Sequence, residues 1–470
     1  MAETPKNARG VAYDLLLAVE QDSAYANLLL PKLLDKASLD SRDSSFAQEL
    51  AFGTLRNALF YDRIIAKCSG RDIDAIDVNA RVVLELGCHQ LLGMRVPSHA
   101  ALSETVELAK RVLRPSLTGF INGVLRRVSE KSRDEWLAIA LKGVSSEIER
   151  LSVVYSHPEW IVRALIESLR QDARESEIEE YLAADNQAPL INLVALPGLA
   201  DVDELYREGA AIGGVSPIGG ELPEGDPGLL RSVREGVVRV QDQGSQLAAL
   251  ALVEAQLAVQ GSEGGSEEWL DLCAGPGGKA ALLSAFALQR NANLVCNEVL
   301  PHRAKLVKQA LSSVNPEVYV RTGDGRDLGE DAPAAFDRIL LDAPCTGLGA
   351  LRRRPEARYR KNQSDVPQLA KLQQELFESA WAGLKPGGVL AYVTCSPHPA
   401  ETTAIVAWAE KKYGDQLELL NANEVLSRVS PALGEDQRLR LNKARKTAQL
   451  WPHIHGTDAM FIALARKNKI

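Results

Sequence analysis

Hydrophobic residues recur every three to four positions over residues 6–130, as they do on the buried face of an amphipathic helix. This spacing predicts an all-helical N-terminal domain. Residues 131–154 are polar and charged, and we interpret them as a connecting helix or linker. The recurring apolar positions include Val11, Leu15, Leu16, Val19, Phe46, Leu50, Leu55, Val82, Val83 and Leu86.

A mixed pattern covers residues 155–240, and it predicts a small α+β segment. Helices are expected near 160–170 and 175–184, followed by a short strand at 190–196. Glycine and proline are then frequent between 213 and 228, which predicts loops.

Apolar runs alternate with helical segments from residue 268 onward, as in a doubly wound α/β sheet. This α/β part of the chain is assigned to residues 241–470. A Gly/Ser/Glu-rich connector at 261–266 is expected to be flexible. The predicted strands are Trp269–Cys273, Leu294–Asn297, Val318–Thr322, Arg338–Leu341, Val389–Thr394 and a last, antiparallel strand at Ala459–Leu464.

Composition is that of an ordinary globular protein, with 470 residues, 46% hydrophobic and 25% charged. No apolar stretch is long enough to span a bilayer, and the N-terminus lacks the pattern of a signal peptide, so we expect a cytoplasmic protein. The net charge of −8 argues against binding nucleic acid through bulk charge alone. None of the six cysteines has zinc-site spacing, so no metal is expected and free thiols are favoured.

A glycine-rich turn, Asp271–Lys279, follows the first predicted strand of the sheet. It fails the Walker A pattern, which needs glycine at Cys273 and Ser or Thr at Ala280. It also departs from the dinucleotide pattern, because Ala280 stands at the third glycine. Alanine is tolerated there, so a dinucleotide oxidoreductase stays open on local grounds.

Acidic residues follow the next strands, with Glu298 and Asp324 each at a strand end. Such an acid can accept hydrogen bonds from ribose hydroxyls or from an adenine amino group. A lone acid in this position is often only a helix cap. Together with the glycine loop and Asp342, the series favours an adenosine-containing ligand.

Two thiols lie just past strand ends. Cys345 lies three residues after Asp342, and Cys395 follows the strand that ends at Thr394. Free cysteine is commonly a buried structural residue. The carboxyl ends of parallel strands are also where open α/β sheets bind their ligands, which favours a catalytic pair.

Three separated blocks of the N-terminal part resemble the NusB-type antitermination-factor domain. They are residues 48–57 (QELAFGTLRN), 86–92 (LGCHQLL) and 120–127 (FINGVLRR). The resemblance implies a helical bundle that binds RNA.

The downstream blocks resemble the RNA cytosine carbon-5 methyltransferases. They are residues 271–279 (DLCAGPGGK), 342–347 (DAPCTG) and 392–396 (YVTCS). The implied cofactor is S-adenosylmethionine. By this resemblance Cys395 is the nucleophile, Cys345 assists release and Asp342 holds the cytosine. The implied cofactor-binding residues are Cys273, Ala274, Gly275, Pro276, Gly277, Gly278, Lys279, Glu298, Asp324 and Asp342.

The two resemblances together imply a multi-domain chain with a NusB-like all-α bundle, a small α+β segment and a Rossmann-like methyltransferase domain. The expected substrate is 16S rRNA, bound by a monomer. A tRNA or another rRNA is the alternative substrate, and an RNA-binding assembly factor with a retired catalytic domain is the alternative class. Lys279 at the start of its helix has a second interpretation as a simple cap.

Basic residues in three regions are expected to contact RNA phosphates. They are Lys6, Arg9, Lys110, Arg111, Arg114, Arg126 and Arg127, then Arg352, Arg353, Arg354, Arg358, Arg360 and Lys361, and finally Arg438, Arg440, Lys443, Arg445 and Lys446.

Two segments depart from the family pattern. Ala195-Leu196-Pro197 stands where Arg-Val-Asn is usual, and of a usual glutamate pair only Glu401 is present.

Overall fold

A computed structural model describes residues 4, 6–258 and 266–469, so most of the connector predicted at 261–266 lies outside the described residues. The described chain divides into two compact units. One contains the residues up to Arg163 together with 185–187 and 351–360, and the other contains the rest. Among the described residues, no helix is both long and apolar enough to cross a membrane.

The first unit is helical, and the apolar positions that predicted it are buried at its centre, except Phe46, which is partly buried against that core. Asp40 and Asp77 cap α3 and α4 by accepting main-chain N–H groups. Residues 131–154, predicted as a connecting helix or linker, contain α7 and most of α8, and Trp136 packs in the same core. The helices are α1 Ala8–Asp22, α2 Ala26–Ala37, α3 Ser41–Ser69, α4 Val78–Leu92, α5 Ser98–Val112, α6 Pro115–Val128, α7 Arg133–Ala140 and α8 Glu147–Tyr155.

Residues 351–360 join this helical unit although they come late in the chain. The guanidinium of Arg358 is fully buried and donates to the carbonyl oxygens of Arg56 and Asp185, at 3.0 and 2.9 Å. It also donates to the side-chain oxygen of Asn186 at 2.7 Å. A charged group buried in this way requires such hydrogen bonds, and these tie three distant chain segments together.

The second unit begins with a four-stranded antiparallel sheet in the order β2-β3-β1-β4. The predicted helices and first strand are confirmed. The stretch predicted as loops contains the strand β3, so that prediction is wrong for four residues. Here the elements are α9 Glu159–Gln171, α10 Ile178–Asp185, β1 Ile191–Ala195, α11 Val202–Arg207, β2 Ala211–Ile212, β3 Gly219–Leu222, α12 Arg231–Glu235, β4 Val238–Val240 and α13 Gln243–Glu254.

An eight-stranded mixed sheet follows, and all six strands predicted for it are confirmed. Its strands are β5 Glu268–Asp271, β6 Asn293–Glu298, β7 Tyr319–Thr322, β8 Phe336–Asp342, β9 Leu384–Thr394, β10 Leu417–Leu420, β11 Ala448–Gln449 and β12 Phe461–Lys467. The accompanying helices are α14 Gly278–Gln289, α15 Pro301–Leu311, α16 Leu328–Asp331, α17 Ala357–Arg360 (part of the helical unit), α18 Asp365–Gly383, α19 Thr403–Tyr413, α20 Ala422–Val429, α21 Pro431–Glu435 and α22 Pro452–His455.

The strand order is β7-β6-β5-β8-β9-β12-β10, with β11 paired to β12. Strands β5 to β9 are mutually parallel, and β12 runs antiparallel to β9. Successive residues of β9 alternate between two cores. Val389, Ala391 and Val393 pack on one face, and Leu390 and Tyr392 pack on the other. Burial on both faces explains why these strands read as unbroken apolar runs.

Candidate active site

The two strand-end thiols are adjacent in the structure. Strands β8 and β9 pair in parallel, with Asp342 opposite Val393, so the turns that follow them leave the sheet side by side. The sulfur atoms of Cys345 and Cys395 are 3.5 Å apart. No disulfide joins them. The predicted catalytic pair is therefore brought together.

The thiol of Cys345 is held in its protonated form. The hydrogen bond to Cys395 is the largest cause that raises the pKa of Cys345 well above its ordinary value, and burial adds to it. Cys345 therefore keeps its proton near neutral pH.

Lys279 reaches the same strand end from the start of α14. Its Nζ donates to Asp342 Oδ2 at 2.8 Å and to Ser245 Oγ at 3.0 Å. Burial works against the charged form, but the charge and hydrogen bond of Asp342 outweigh it, so the pKa of Lys279 lies above its ordinary value. The lysine is thus part of the site and not merely a helix cap.

Asp271 lies beneath this ion pair at the end of β5. Burial, and then the neighbouring charge of Asp342, raise the pKa of Asp271 to about 8. The ammonium of Lys279 opposes this rise only in part. Near neutral pH the Asp271 carboxyl is therefore mostly protonated.

The glycine loop is held against Glu298 at the end of β6. Glu298 accepts the main-chain N–H groups of Gly275 and Leu300, both at 3.0 Å. A Cβ atom at Gly275 would lie 2.2 Å from Glu298 Oε2. Gly277 has φ +112°, and its Cβ would lie 2.6 Å from that of Ala310. No other residue type fits at either position without movement.

Asp324 lies past the end of β7, next in the sheet after β6. Its carboxylate is bound by the guanidinium of Arg326 at 2.6 Å, and this hydrogen bond lowers the pKa of Asp324. The preceding residue, Gly323, donates its N–H to the carbonyl oxygen of Glu298 at 3.2 Å. The predicted cofactor acids therefore lie along one edge of the sheet.

The residues present fit an adenosine-containing cation such as S-adenosylmethionine. Gly275 and Gly277 keep side chains out of the loop. The acids Glu298, Asp324 and Asp342 lie at or just past the ends of β6, β7 and β8. Both polar side-chain atoms of Gln241, close to Gly278, are buried without a hydrogen-bond partner among the described residues. Val299 is exposed directly after Glu298, where it offers an apolar surface to a purine ring. Cys273 is partly buried and packs against the apolar core on one face of the sheet, and burial raises the pKa of its thiol well above the ordinary value.

Two groups at the site escaped the sequence interpretation. Ser245 lies at the start of α13 and was not singled out from the sequence. Glu401 was noted only for its departure from a paired pattern, yet it is fully buried beside the two thiols. No local sequence signal marks either residue.

Two members of the basic cluster after the Cys345 loop are not available for the predicted phosphate contact. Arg352 and Arg358 are buried, so the prediction is wrong for these two. For Arg358 the physical reason is the set of oxygen acceptors within the helical unit that bind its guanidinium. Arg354 is exposed, and Arg354 and Arg360 lie over the ring of Tyr25, at 5.6 Å each. The other two clusters retain exposed members, namely Lys6, Lys110, Arg111, Arg114, Arg126 and Arg127 in the helical unit, and Arg438, Arg440, Lys443 and Lys446 in the second unit.

Comparison with known proteins identifies the family of the chain. Residues 258–466 match the family model described as 16S rRNA methyltransferase RsmB/F, and residues 6–130 match the NusB family. A ribosomal RNA small subunit methyltransferase B from an Enterobacter species is 32% identical over 420 residues, covering 86% of this chain and 90% of that protein. The chain belongs to the RsmB/F family.

Two further similarities extend over nearly the whole chain. A putative methyltransferase of Mycobacterium tuberculosis is 44% identical over 462 residues, which cover 98% of this chain and 96% of that protein. The solved structure of PH0851 has a TM-score of 0.78 at 20% identity, covering 99% of this chain and 100% of that chain. This RsmB/F protein is therefore a methyltransferase with a NusB-type helical domain and a Rossmann-like catalytic domain.

Proposed function

We propose that this protein methylates carbon 5 of a cytosine in 16S rRNA, through a covalent bond between Cys395 and carbon 6 of the base. The observation that carries the proposal is the pair of thiols 3.5 Å apart at the ends of adjacent parallel strands. One thiol is needed to attack the base, and a second thiol beside it has a use only if the attacking sulfur must later be released.

The chemistry explains why a thiol is required. Carbon 5 of cytosine is a poor nucleophile, and addition of a thiolate to carbon 6 gives the ring enamine character at carbon 5. The cofactor supplies an electrophilic methyl group on its sulfonium. Loss of the proton from carbon 5 then allows the bond from carbon 6 to the sulfur to break.

The surroundings of the two thiols support an order for them. The pKa of Cys345 is raised by the hydrogen bond to Cys395 and by burial, which disfavours its thiolate. The Lys279 ammonium lies within electrostatic range of Cys395, where it would stabilise a thiolate. This supports Cys395 as the nucleophile and Cys345 as the group that assists its release.

Asp342 is proposed to hydrogen-bond the cytosine at nitrogen 3 through a proton taken up as the thiolate adds, because an ionised carboxylate can only accept, and so to stabilise the adduct. Lys279, which also donates to the Ser245 hydroxyl, fixes the orientation of the Asp342 carboxylate before the base arrives. For the cofactor, the loop from Cys273 to Lys279, with Ala274, Pro276 and Gly278 in it, is proposed as the binding segment, together with Glu298 and Asp324.

Ribosomal RNA as substrate is proposed from family membership and from the name of the Enterobacter relative. A base inside a helix cannot reach a strand-end thiol, so the target cytosine must leave its stack. The exposed Arg438, Arg440, Lys443 and Lys446 offer charges for phosphate contact. A tRNA substrate remains an outcome of the experiment.

Bisulfite sequencing of total RNA, from cells with and without the gene, tests the reaction and names the nucleotide. Methylation that depends on the gene and lies in 16S rRNA supports the proposal. Gene-dependent methylation in tRNA would show that the substrate is tRNA and not 16S rRNA. The absence of any gene-dependent 5-methylcytosine would overturn the proposal in favour of a non-catalytic role.

Single substitutions distinguish the roles of the two thiols. Cys395→Ala should abolish both methylation and covalent capture of RNA, and Cys345→Ala should accumulate a protein–RNA adduct on denaturing gels. Cys68→Ala is the matched control, because it removes a thiol from the helical unit. Retained activity in Cys395→Ala would refute the nucleophile assignment.

A further inference from the structure

A buried carboxyl group connects the two cysteine-bearing turns. Glu401 lies in a short turn after β9, and its side chain is completely inaccessible to solvent. Its Oε1 accepts the main-chain N–H of Thr346 at 2.8 Å and the amide of Gln373 at 3.3 Å. Its Oε2 accepts the hydroxyls of Thr346 and Ser396, at 2.5 and 2.6 Å.

The donors to Glu401 are the direct chain neighbours of the reactive thiols. Thr346 follows Cys345, and Ser396 follows Cys395. The hydroxyls of Thr346 and Ser396 also lie 3.0 Å from each other. One carboxyl group therefore bridges the two turns within one residue of each sulfur.

A second layer holds Glu401 itself. The Tyr392 hydroxyl donates to the main-chain oxygen of Glu401 at 2.7 Å, and its oxygen lies 3.1 Å from Gln373 Oε1. Gln373 in turn donates to the carbonyl oxygen of Pro344, immediately before Cys345, at 2.9 Å. The turn that carries Cys345 is thus held on both sides of the cysteine.

Burial of a carboxyl group is unfavourable unless hydrogen bonds compensate it. An apolar side chain of similar size would fill the same space without that penalty, but it would leave the Thr346 N–H without an acceptor. The group is best explained by the geometry that it enforces, since a displacement of about 1 Å at reacting atoms costs on the order of 100-fold in rate.

We propose that Glu401 is a positioning residue that holds Cys345 and Cys395 at their mutual distance. The inference rests on the proposed function, because it assigns Glu401 to the two-thiol reaction. Glu401 acts through the hydrogen bonds to Thr346 and Ser396 and does not touch the substrate.

Replacement of Glu401 by glutamine separates the effect of its hydrogen bonds from the effect of its charge. In Glu401→Gln the amide oxygen can take the place of Oε1 and accept both N–H donors. The amide nitrogen then takes the place of Oε2 and donates to the two hydroxyls, which accept as readily as they donate. Glu401→Met keeps the approximate size and removes all four hydrogen bonds.

Steady-state methylation of RNA is the first measurement. Glu401→Met should lower kcat by about 100-fold, leave the KM for RNA within about threefold, and retain binding of radiolabelled S-adenosylmethionine. Glu401→Gln should restore kcat to within about tenfold of the unsubstituted enzyme. Glu410→Met, an exposed position on α19, is the matched control and should change neither constant.

Oxidation by diamide is the second measurement, and it does not depend on catalysis. Two thiols lose two protons and two electrons to diamide and form a disulfide, which peptide mapping assigns to Cys345 and Cys395. Because disulfide formation requires close approach of the sulfurs, Glu401→Met should form this bond about tenfold more slowly. Glu401→Gln should form it at nearly the rate of the unsubstituted enzyme.

The outcomes distinguish this inference from the proposed function. Methylation retained in Cys395→Ala would overturn the thiol mechanism, while the diamide rates still test the position of the sulfurs. A kcat and a diamide rate unchanged in Glu401→Met would overturn the role of Glu401. Equal damage by Gln and Met would also overturn it, because charge would then be the decisive property.

A milder variant tests the same inference if Glu401→Met does not fold. Ser396→Ala removes one of the four hydrogen bonds and should lower kcat by about three- to tenfold with an unchanged KM. An unchanged kcat in this variant, combined with unchanged diamide oxidation, would refute the inference.

Discussion

Replacement of Asp271 by asparagine should stabilise the protein increasingly as the pH rises. The pKa of Asp271 is raised from 3.8 to about 8, first by burial and then by the charge of Asp342. Between these two values the folded state holds a proton that the unfolded state has lost. The stability of the unsubstituted protein therefore falls as the pH rises through this window and stops falling above about 8.

The size of the effect follows from the width of that window. Each pH unit in which only the folded state is protonated removes about 1.4 kcal/mol of unfolding free energy. Between pH 6 and 9, about two such units lie below the folded pKa, which gives roughly 3 kcal/mol. Asparagine has nearly the same shape and does not titrate, so the advantage of Asp271→Asn should grow by this amount and then level off.

Urea unfolding at pH 6, 7, 8 and 9, without added cofactor, measures the difference between variant and unsubstituted protein. Asp324→Asn is the matched control. Its carboxylate is bound by Arg326, which lowers the pKa, so its contribution is lost only in acid and its difference should stay constant over this range. A constant difference for Asp271→Asn as well would refute the reasoning, because Asp271 would then be ionised throughout.

Two other substitutions probe the site. Lys279→Met removes the cation 2.8 Å from Asp342 and should lower the unfolding free energy by about 2 kcal/mol. The loss is smaller than for a fully buried pair because Asp342 keeps some solvent access. Unchanged urea unfolding would contradict this expectation. Gly349→Ala places a Cβ atom 2.3 Å from the carbonyl oxygen of Ala459 and 2.8 Å from that of Cys395, and should cost about 1–3 kcal/mol together with most methylation activity. A fully active, equally stable Gly349→Ala protein would show that the turn Leu348–Ala350, which contains Gly349, tolerates movement.

The sheet was predictable because parallel strands that are buried on both faces appear in the sequence as unbroken apolar runs. The positions of Asp342 and Cys395 at strand ends followed directly from those runs. Their proximity depends on β8 and β9 being neighbours, and this strand order has no local signal in the sequence. The resemblance to a known family supplied the pairing of the two thiols.

The role of Glu401 could not be predicted for a related reason. Its hydrogen-bond donors Thr346 and Gln373 are 55 and 28 residues away in sequence. A glutamate after a strand reads as a helix cap or a solvated side chain, and only the folded structure shows that it is buried between two turns.

The basic run 352–360 illustrates the opposite error, in which a strong local signal misleads. Consecutive arginines usually indicate a solvated surface, yet burial depends on the partners that the rest of the chain supplies. Arg358 is buried because carbonyl oxygens from residues 56 and 185 converge on its guanidinium. A substitution of Arg358 that weakens RNA binding would therefore report on the folding of the helical unit. Phosphate contact is better tested at the exposed Arg440 and Lys443, where no such folding role confounds the result.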